Sequence, residues 1–305
     1  MDRKEFIKKS VLSGLAVGLS NSVFSANSNF LLESKKSTKL TILHTNDTHS
    51  NIDPFPANHS KFPNQGGVAK RYDIIKKIRS EEENVLLLDA GDIFQGTPYF
   101  NRYGGELEMK VMTKMHYDAA TMGNHDFDGS MEGFSKAKVH ANFPFLCSNY
   151  DFKNTILDGQ TEKYKIFKKG GLKIGIFGLG VELKSLVPDN LFGETVYLNP
   201  IEIAQEMVSA LKKEKCDLII CLSHLGYEYL NDKVSDKVLA QKTSGIDLII
   251  GGHTHTFLEK PTQMLNSEGK ITLINQVGWA GLNLGRIDFD VEKMYFSKKE
   301  IIEVK

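Results

Sequence analysis

Short apolar runs alternate with stretches in which apolar residues recur every three or four positions, from residue 40 almost to the end of the chain. The runs at 40–44, 85–89, 119–122, 173–179, 218–223 and 248–251 are mostly apolar along their whole length. That is the composition of strands covered on both faces, and each run ends at glycine or polar residues. Between them, Val68, Ile74, Ile75 and Ile78 share one helical face, Leu107, Val111 and Met115 a second, and Ile203, Met207, Val208 and Leu211 a third. Pro200 suits the first turn of that third helix, where its missing N–H costs nothing. The alternation predicts a layered α/β domain with helices packed outside the sheet. Residues 271–277 and 284–291 return to strand composition, which predicts a second sheet or an antiparallel extension. No repeat, low-complexity segment or internal boundary is visible over 40–305.

The first residues are patterned differently. Arg3, Lys4, Lys8 and Lys9 precede an apolar, small-residue run from Val11 to Ala26, and Val23-Phe24-Ser25 offers a small-residue cleavage site. The expected organisation is an export signal over 1–26, a polar linker over 27–39 and one domain over 40–305. The segment from Arg3 to Lys8 is similar to a twin-arginine signal with Lys4 in place of the second arginine, so the export route stays open. The run is shorter and more broken by serine than the ~20 residues a membrane span needs. A periplasmic or extracellular protein without stable membrane insertion is therefore expected. Lysine plus arginine and aspartate plus glutamate both number 38, so no overall field draws nucleic acid. The three cysteines are too few for a disulfide framework, and Cys147 and Cys221, set in apolar runs, are expected to be buried thiols.

Candidate chemistry sits where the strands stop. The first run leads into Thr45-Asn46-Asp47-Thr48-His49, the second into Asp89-Ala90-Gly91-Asp92, and the third into Gly123-Asn124-His125-Asp126. The run at 218–222 leads into Ser223-His224, and that at 248–250 into Gly251-Gly252-His253-Thr254-His255. Ligands of open α/β sheets bind at carboxyl ends of strands, so these five turns are expected to converge. Mixed carboxylate, imidazole and amide donors suit zinc, manganese or iron, and the seven from Asp47, His49, Asp92, Asn124, His224, His253 and His255 exceed one tetrahedral site. Two divalent metal ions fit better. The i, i+2 spacing of Asp47 with His49 and of His253 with His255 points both side chains the same way at a strand end.

In this order the blocks D-x-H, G-D, G-N-H-D, an isolated His and G-H-x-H resemble the calcineurin-like metallophosphoesterases. Ile42-Leu43-His44-Thr45-Asn46-Asp47, the run from Gly91 to Pro98 and Gly123-Asn124-His125-Asp126-Phe127-Asp128 resemble the 5'-nucleotidase branch in particular. The resemblance implies that fold: two mixed β-sheets packed together and flanked by helices. It implies that Asp47, His49 and His255 hold a first metal, that Asn124, His224 and His253 hold a second, and that Asp92 bridges them. It further implies that His125 faces the phosphoryl group, kept protonated by Asp128, with Asp126 the weaker candidate for that role. The implied reaction is hydrolysis of phosphate monoesters, 5'-nucleotides first, by attack of a metal-bridging hydroxide. Such nucleotidases carry a C-terminal domain that clamps the base, which a separate chain could supply. A phosphodiesterase or nucleotide-sugar diphosphatase, and a metal-binding subunit without turnover, are the alternatives.

Other residues are expected to do ordinary work. His44, His59, His116 and His140 lie outside the blocks, and Asp89 is expected in a structural hydrogen bond. Gly66-Gly67 is expected in a plain turn before a helix. Tyr99, Phe100 and Tyr103 are expected in packing, and Arg71 and Arg102 on the surface, with contact to substrate a lesser expectation for all five.

Overall fold

The structure, a computed structural model, describes residues 39–305; the expected export segment and all but the last residue of the expected linker lie outside them. Strands β1 (Lys39–Thr45), β2 (Val85–Asp89) and β3 (Ala119–Ala120) run parallel. β12 (Asn283–Asp290) pairs antiparallel with β1, and β13 (Tyr295–Glu303) with β12, giving a five-stranded sheet in the order β13-β12-β1-β2-β3. The second sheet has six strands. β6 (Leu172–Leu179), β8 (Leu218–Ser223), β9 (Leu248–Gly251) and β11 (Ile271–Asn275) are parallel neighbours at its centre. β5 (Tyr164–Lys169) and β10 (Thr262–Leu265) add antiparallel edges to β6 and β11. A small ribbon joins β4 (Tyr150–Asp151) to β7 (Val196–Tyr197).

The pleat explains why the central runs are apolar throughout. In β1, Leu40 and Ile42 point one way and Leu43 the other; in β8, Leu218, Ile220 and Leu222 oppose Ile219 and Cys221. The first set, with Leu86, Leu88, Ile174, Ile176, Leu248 and Ile250, forms the core between the sheets. Leu43 and Leu87 turn outward onto Ile75, Ile78, Met109, Met112 and Phe134, while Ile219, Cys221 and Ile249 turn onto Ala204, Met207, Val208, Leu211 and Leu239. Those outer residues come from α1 (Val68–Glu81), α3 (Glu106–Lys114) and α4 (Ser130–Lys138) on one side, and α6 (Pro200–Lys213) and α7 (Asp236–Lys242) on the other. The result is the expected fold of two mixed sheets packed together and flanked by helices. Each such side chain taken out of water contributes on the order of 1.5–3 kcal/mol. Cys147 and Cys221 are buried thiols, and burial pushes the Cys147 thiol up to about 12.

Two helical faces differ from the expected ones. In α3 the buried residues are Glu108, Met109 and Met112, with Leu107 and Val111 half-buried. In α1, Arg71 is buried beside Ile75 and Ile78. A pattern built on apolar residues alone rotates away from a face that carries an interior charge. Arg71 is therefore not a surface residue, whereas Arg102, on α2 (Pro98–Tyr103), is exposed. α5 (Asp189–Phe192) is a single turn. Among the described residues no helix is long and apolar enough to cross a membrane.

Candidate metal centre

The loops leaving β1, β2, β3, β8 and β9 come together although they belong to two sheets. Their backbone is unusual at the residues that carry chemistry: Asp47, His49, Asp92, His253 and His255 all have positive φ, between 47 and 71°. Non-glycine residues held there cost of order 1–3 kcal/mol each and persist only when neighbours over-determine them. The neighbours do so here. Asp47 N–H donates to Gly91 O at 2.9 Å, His49 N–H to Asp92 O at 3.0 Å and Ser50 N–H to Ile93 O at 2.9 Å, zipping the first two loops together. His253 N–H donates to Asp47 Oδ1 at 2.9 Å, which joins the last loop to the first. Gly123 permits the closest approach, since a Cβ there would stand 2.6 Å from His224 Nε2 and nearer still to Asp92 Oδ1.

Two groups of donor atoms result. Asp47, His49, Asp92 and His255 each place one ligating atom within 4.8 Å of the others, and so do Asp92, His224 and His253. Asp92 belongs to both. In the first group His49 Nε2 lies 3.0 Å from His255 Nε2, and His255 Nε2 lies 3.4 Å from Asp47 Oδ1. In the second, His224 Nε2 stands 3.0 Å from Asp92 Oδ2, yet without the alignment of a hydrogen bond, so the nitrogen is buried with no hydrogen-bond partner. Asn124 Oδ1 is likewise buried and unpartnered, as the remaining expected donor.

The donors are presented as a cation requires. His224 Nδ1 donates to Ala90 O at 2.7 Å, and His49 Nδ1 lies 3.2 Å from Gln95 O, which leaves the Nε2 lone pair of each ring facing inward. Burial lowers the pKa of His49, and lowers that of His253 to about 3, so both rings are neutral. For His224, burial works against charge, but Asp92 and Asp47 prevail and raise it to about 10. Burial opposes charge on Asp92 too, and His224 more than offsets it, holding the carboxyl well below the usual range. Positive charge is thus what this buried space demands, and a divalent ion supplies it more fully than a proton. The residues fit a metal centre, with Asp92 shared between its two donor groups.

At the rim, His125 is partly exposed, its Nδ1 2.8 Å from Asp128 Oδ2 and its N–H donating to Asp92 Oδ1 at 2.8 Å. Asp128 raises its pKa, against partial burial. Asp126 does something else. Its carboxylate accepts the N–H groups of Asp92, Ile93, Phe94 and Gly123 at 2.8–3.1 Å, fixing the turn that carries Asp92. Burial raises its pKa to about 7, and two of those bonds, from Gly123 and Phe94, pull the other way. Replacing Asp126 with asparagine is expected to weaken metal binding about 10- to 100-fold, because an amide cannot accept at all four N–H groups. Dialysis against metal buffers followed by elemental analysis checks this.

Asn46 is a second residue whose part no motif signals. It donates to the neighbouring Asp47 Oδ2 at 2.6 Å and accepts from Val277 N–H at 3.0 Å, the latter a contact between segments more than 200 residues apart. The remaining expectations fall outside the centre. His44 is buried against Asn275, His59 packs on Phe55 and Phe62, and His116 and His140 lie at the surface end of α3 and α4. Asp89 accepts from Thr45 Oγ1 at 2.5 Å, the structural bond expected of it; Gly66 bridges to Pro54 and Gly67 stands at the N-cap of α1, the helix start expected there without the turn. Phe100 is buried on Phe94, while Tyr99 and Tyr103 line a groove with Arg102.

The calcineurin-like phosphoesterase profile matches residues 40–257. Snake venom 5'-nucleotidase of Crotalus adamanteus is 37% identical over 229 residues, covering 73% of this chain and 38% of that protein. The chain thus spans well under half the length of that curated relative. The crystal structure of the 5'-nucleotidase precursor of Thermus thermophilus superposes with a TM-score of 0.78 at 32% identity, covering 87% of this chain and 54% of that one. That of Haemophilus influenzae NAD nucleotidase gives 0.77 at 28%, covering 87% and 50%. The order of the five motif turns, the layered fold and these similarities lead to one conclusion: the chain belongs to the calcineurin-like phosphoesterase family, in the branch that holds the 5'-nucleotidases.

Proposed function

We propose that the chain is a phosphoric ester hydrolase acting on phosphate monoesters, 5'-nucleotides foremost. The observation that carries this is Asp92 shared between two donor groups, with the His125–Asp128 pair standing beside them. Asp47, His49 and His255 would hold one ion, Asn124, His224 and His253 the other, and Asp92 both. Such ions stabilise the phosphoryl oxygens and make a water acidic enough to attack phosphorus near neutral pH. The protein's own part is to orient. Carbonyls fix the His49 and His224 rings, Asp126 fixes the Asp92 turn, and His125 offers a positively charged N–H to the phosphoryl group and a proton to the leaving oxygen.

Protein loaded with manganese or zinc is expected to release phosphate from AMP and from a chromogenic monoester, and to lose that activity on chelation. Inactivity with every metal and ester would overturn the proposal. The similarity to a NAD nucleotidase favours cleavage of nucleotide anhydrides as a second reading. A rate on dinucleotides above that on AMP would establish it. We place the enzyme outside the cytoplasm on the strength of the first 26 residues, and assign recognition of the base to a further domain outside residues 40–305, which a separate chain could supply. A fractionation assay and a pull-down test the two assignments.

A further inference from the structure

Beside His255 stands the one tryptophan of the chain. The indole of Trp279 lies parallel to the His255 imidazole, with ring planes 8° apart and centroids 5.7 Å apart. Its other neighbours hold it in place: Phe55 meets it edge-on at 6.0 Å, and Phe55 in turn packs on His59 at 4.6 Å and on Phe62 at 5.8 Å. The loop bearing Trp279 is bonded to the backbone that carries Asp47. Ala280 N–H donates to Asp47 O at 2.7 Å, and Asn46 Nδ2 donates to Gly278 O at 2.6 Å. The indole and the Asp47 carboxylate are thus fixed in one frame.

His255 has need of such a wall. Its side chain is 40% exposed, against 0% for Asp47 and His224. His49 and His224 each have a carbonyl at Nδ1 to set the ring; among the described residues no such hydrogen bond orients His255. A ring free to turn about two side-chain torsions would lose its aim at the space between His49 and Asp47, and ordering it would be charged against metal binding. A flat aromatic face in contact restricts that rotation.

We infer that Trp279 is a positioning residue for the metal position built from Asp47, His49 and His255, and that its indole reports the filling of that position. This rests on the two-ion reading of the metal centre. The full chain, stripped with chelator, is titrated with Mn²⁺ and separately with Zn²⁺, following metal content by elemental analysis and the emission of the sole tryptophan. Wild type is expected to take up two ions, with the emission changing as one of them binds. Trp279→Ala is expected to hold one ion as wild type does and the other about 10- to 100-fold more weakly, and Trp279→Phe, which keeps a flat face, to restore most of the loss. Trp279→Leu, which fills the space without a planar face, is expected to behave like the alanine variant and guards against a folding defect. Unchanged affinity for both ions in the alanine and leucine variants overturns the inference while leaving the metal centre standing. Absence of any bound ion in wild type overturns the metal centre itself, and this inference with it.

Discussion

Replacing Asp92 with asparagine is expected to lower turnover of a phosphate monoester by about 1000-fold, about 4 kcal/mol in barrier. Asp92 is the one side chain common to both donor groups, it is fully buried, and His224 lies against it. The amide keeps the shape and removes the charge. Both cation positions then lose their shared anionic donor, and His224 loses the carboxylate chiefly responsible for raising its pKa to about 10, so that burial returns the ring to its neutral form. Because the neutral ring needs no buried partner charge, the fold is expected to survive. Elemental analysis should find fewer than two ions per chain, with the metal-free melting temperature close to that of wild type. Retention of two ions with activity within tenfold of wild type would sink the assignment of Asp92 as the bridge.

How much of this could be read along the chain depends on where each element sits. The central strands were legible because burial on both faces leaves no polar positions to break the run, as in Leu218-Ile219-Ile220-Cys221-Leu222. Of the edge strands of the two large sheets, β3 was and the other three were not. β5, β10 and β13 are each half exposed, and β5 and β13 carry lysines where an unpaired edge faces water, so their apolar pattern is diluted. Short helices such as α2 and α7 offer too few turns for a period to show. At the centre, spacing within a turn brought out Asp47, His49, His253 and His255. What spacing could not show was contact between turns: Asp126 reaching back to the Asp92 loop, Asn46 reaching to Val277, and Trp279 lying on His255. The positive φ angles were hidden for the same reason. Hydrogen bonds between loops hold Asp47, His49, Asp92 and His253 there, and an Asp or His, though it tolerates positive φ better than most residues, does not set φ by itself.

Removal of His125 is expected to have the second large effect, with a different signature. His125→Ala should lower turnover by about 100- to 10,000-fold while leaving both ions bound, because neither donor group includes His125. Asp128→Asn separates the charge on the ring from its presence. The Asp128 carboxylate is the main cause of the raised His125 pKa, so the imidazolium persists to higher pH than an ordinary histidine would allow. If that charged form serves the phosphoryl group, activity should fall as pH rises through the raised pKa. In Asp128→Asn the pKa drops back toward the ordinary value, and the alkaline limb of the kcat/KM profile should move to lower pH, with the rate below that limb largely kept. The sign is fixed by the pairing: loss of an adjacent anion can only favour the neutral ring. A limb that stays in place, or moves upward, would show that a group other than His125 sets it, and Asp128 would then not be the residue that keeps the active centre protonated.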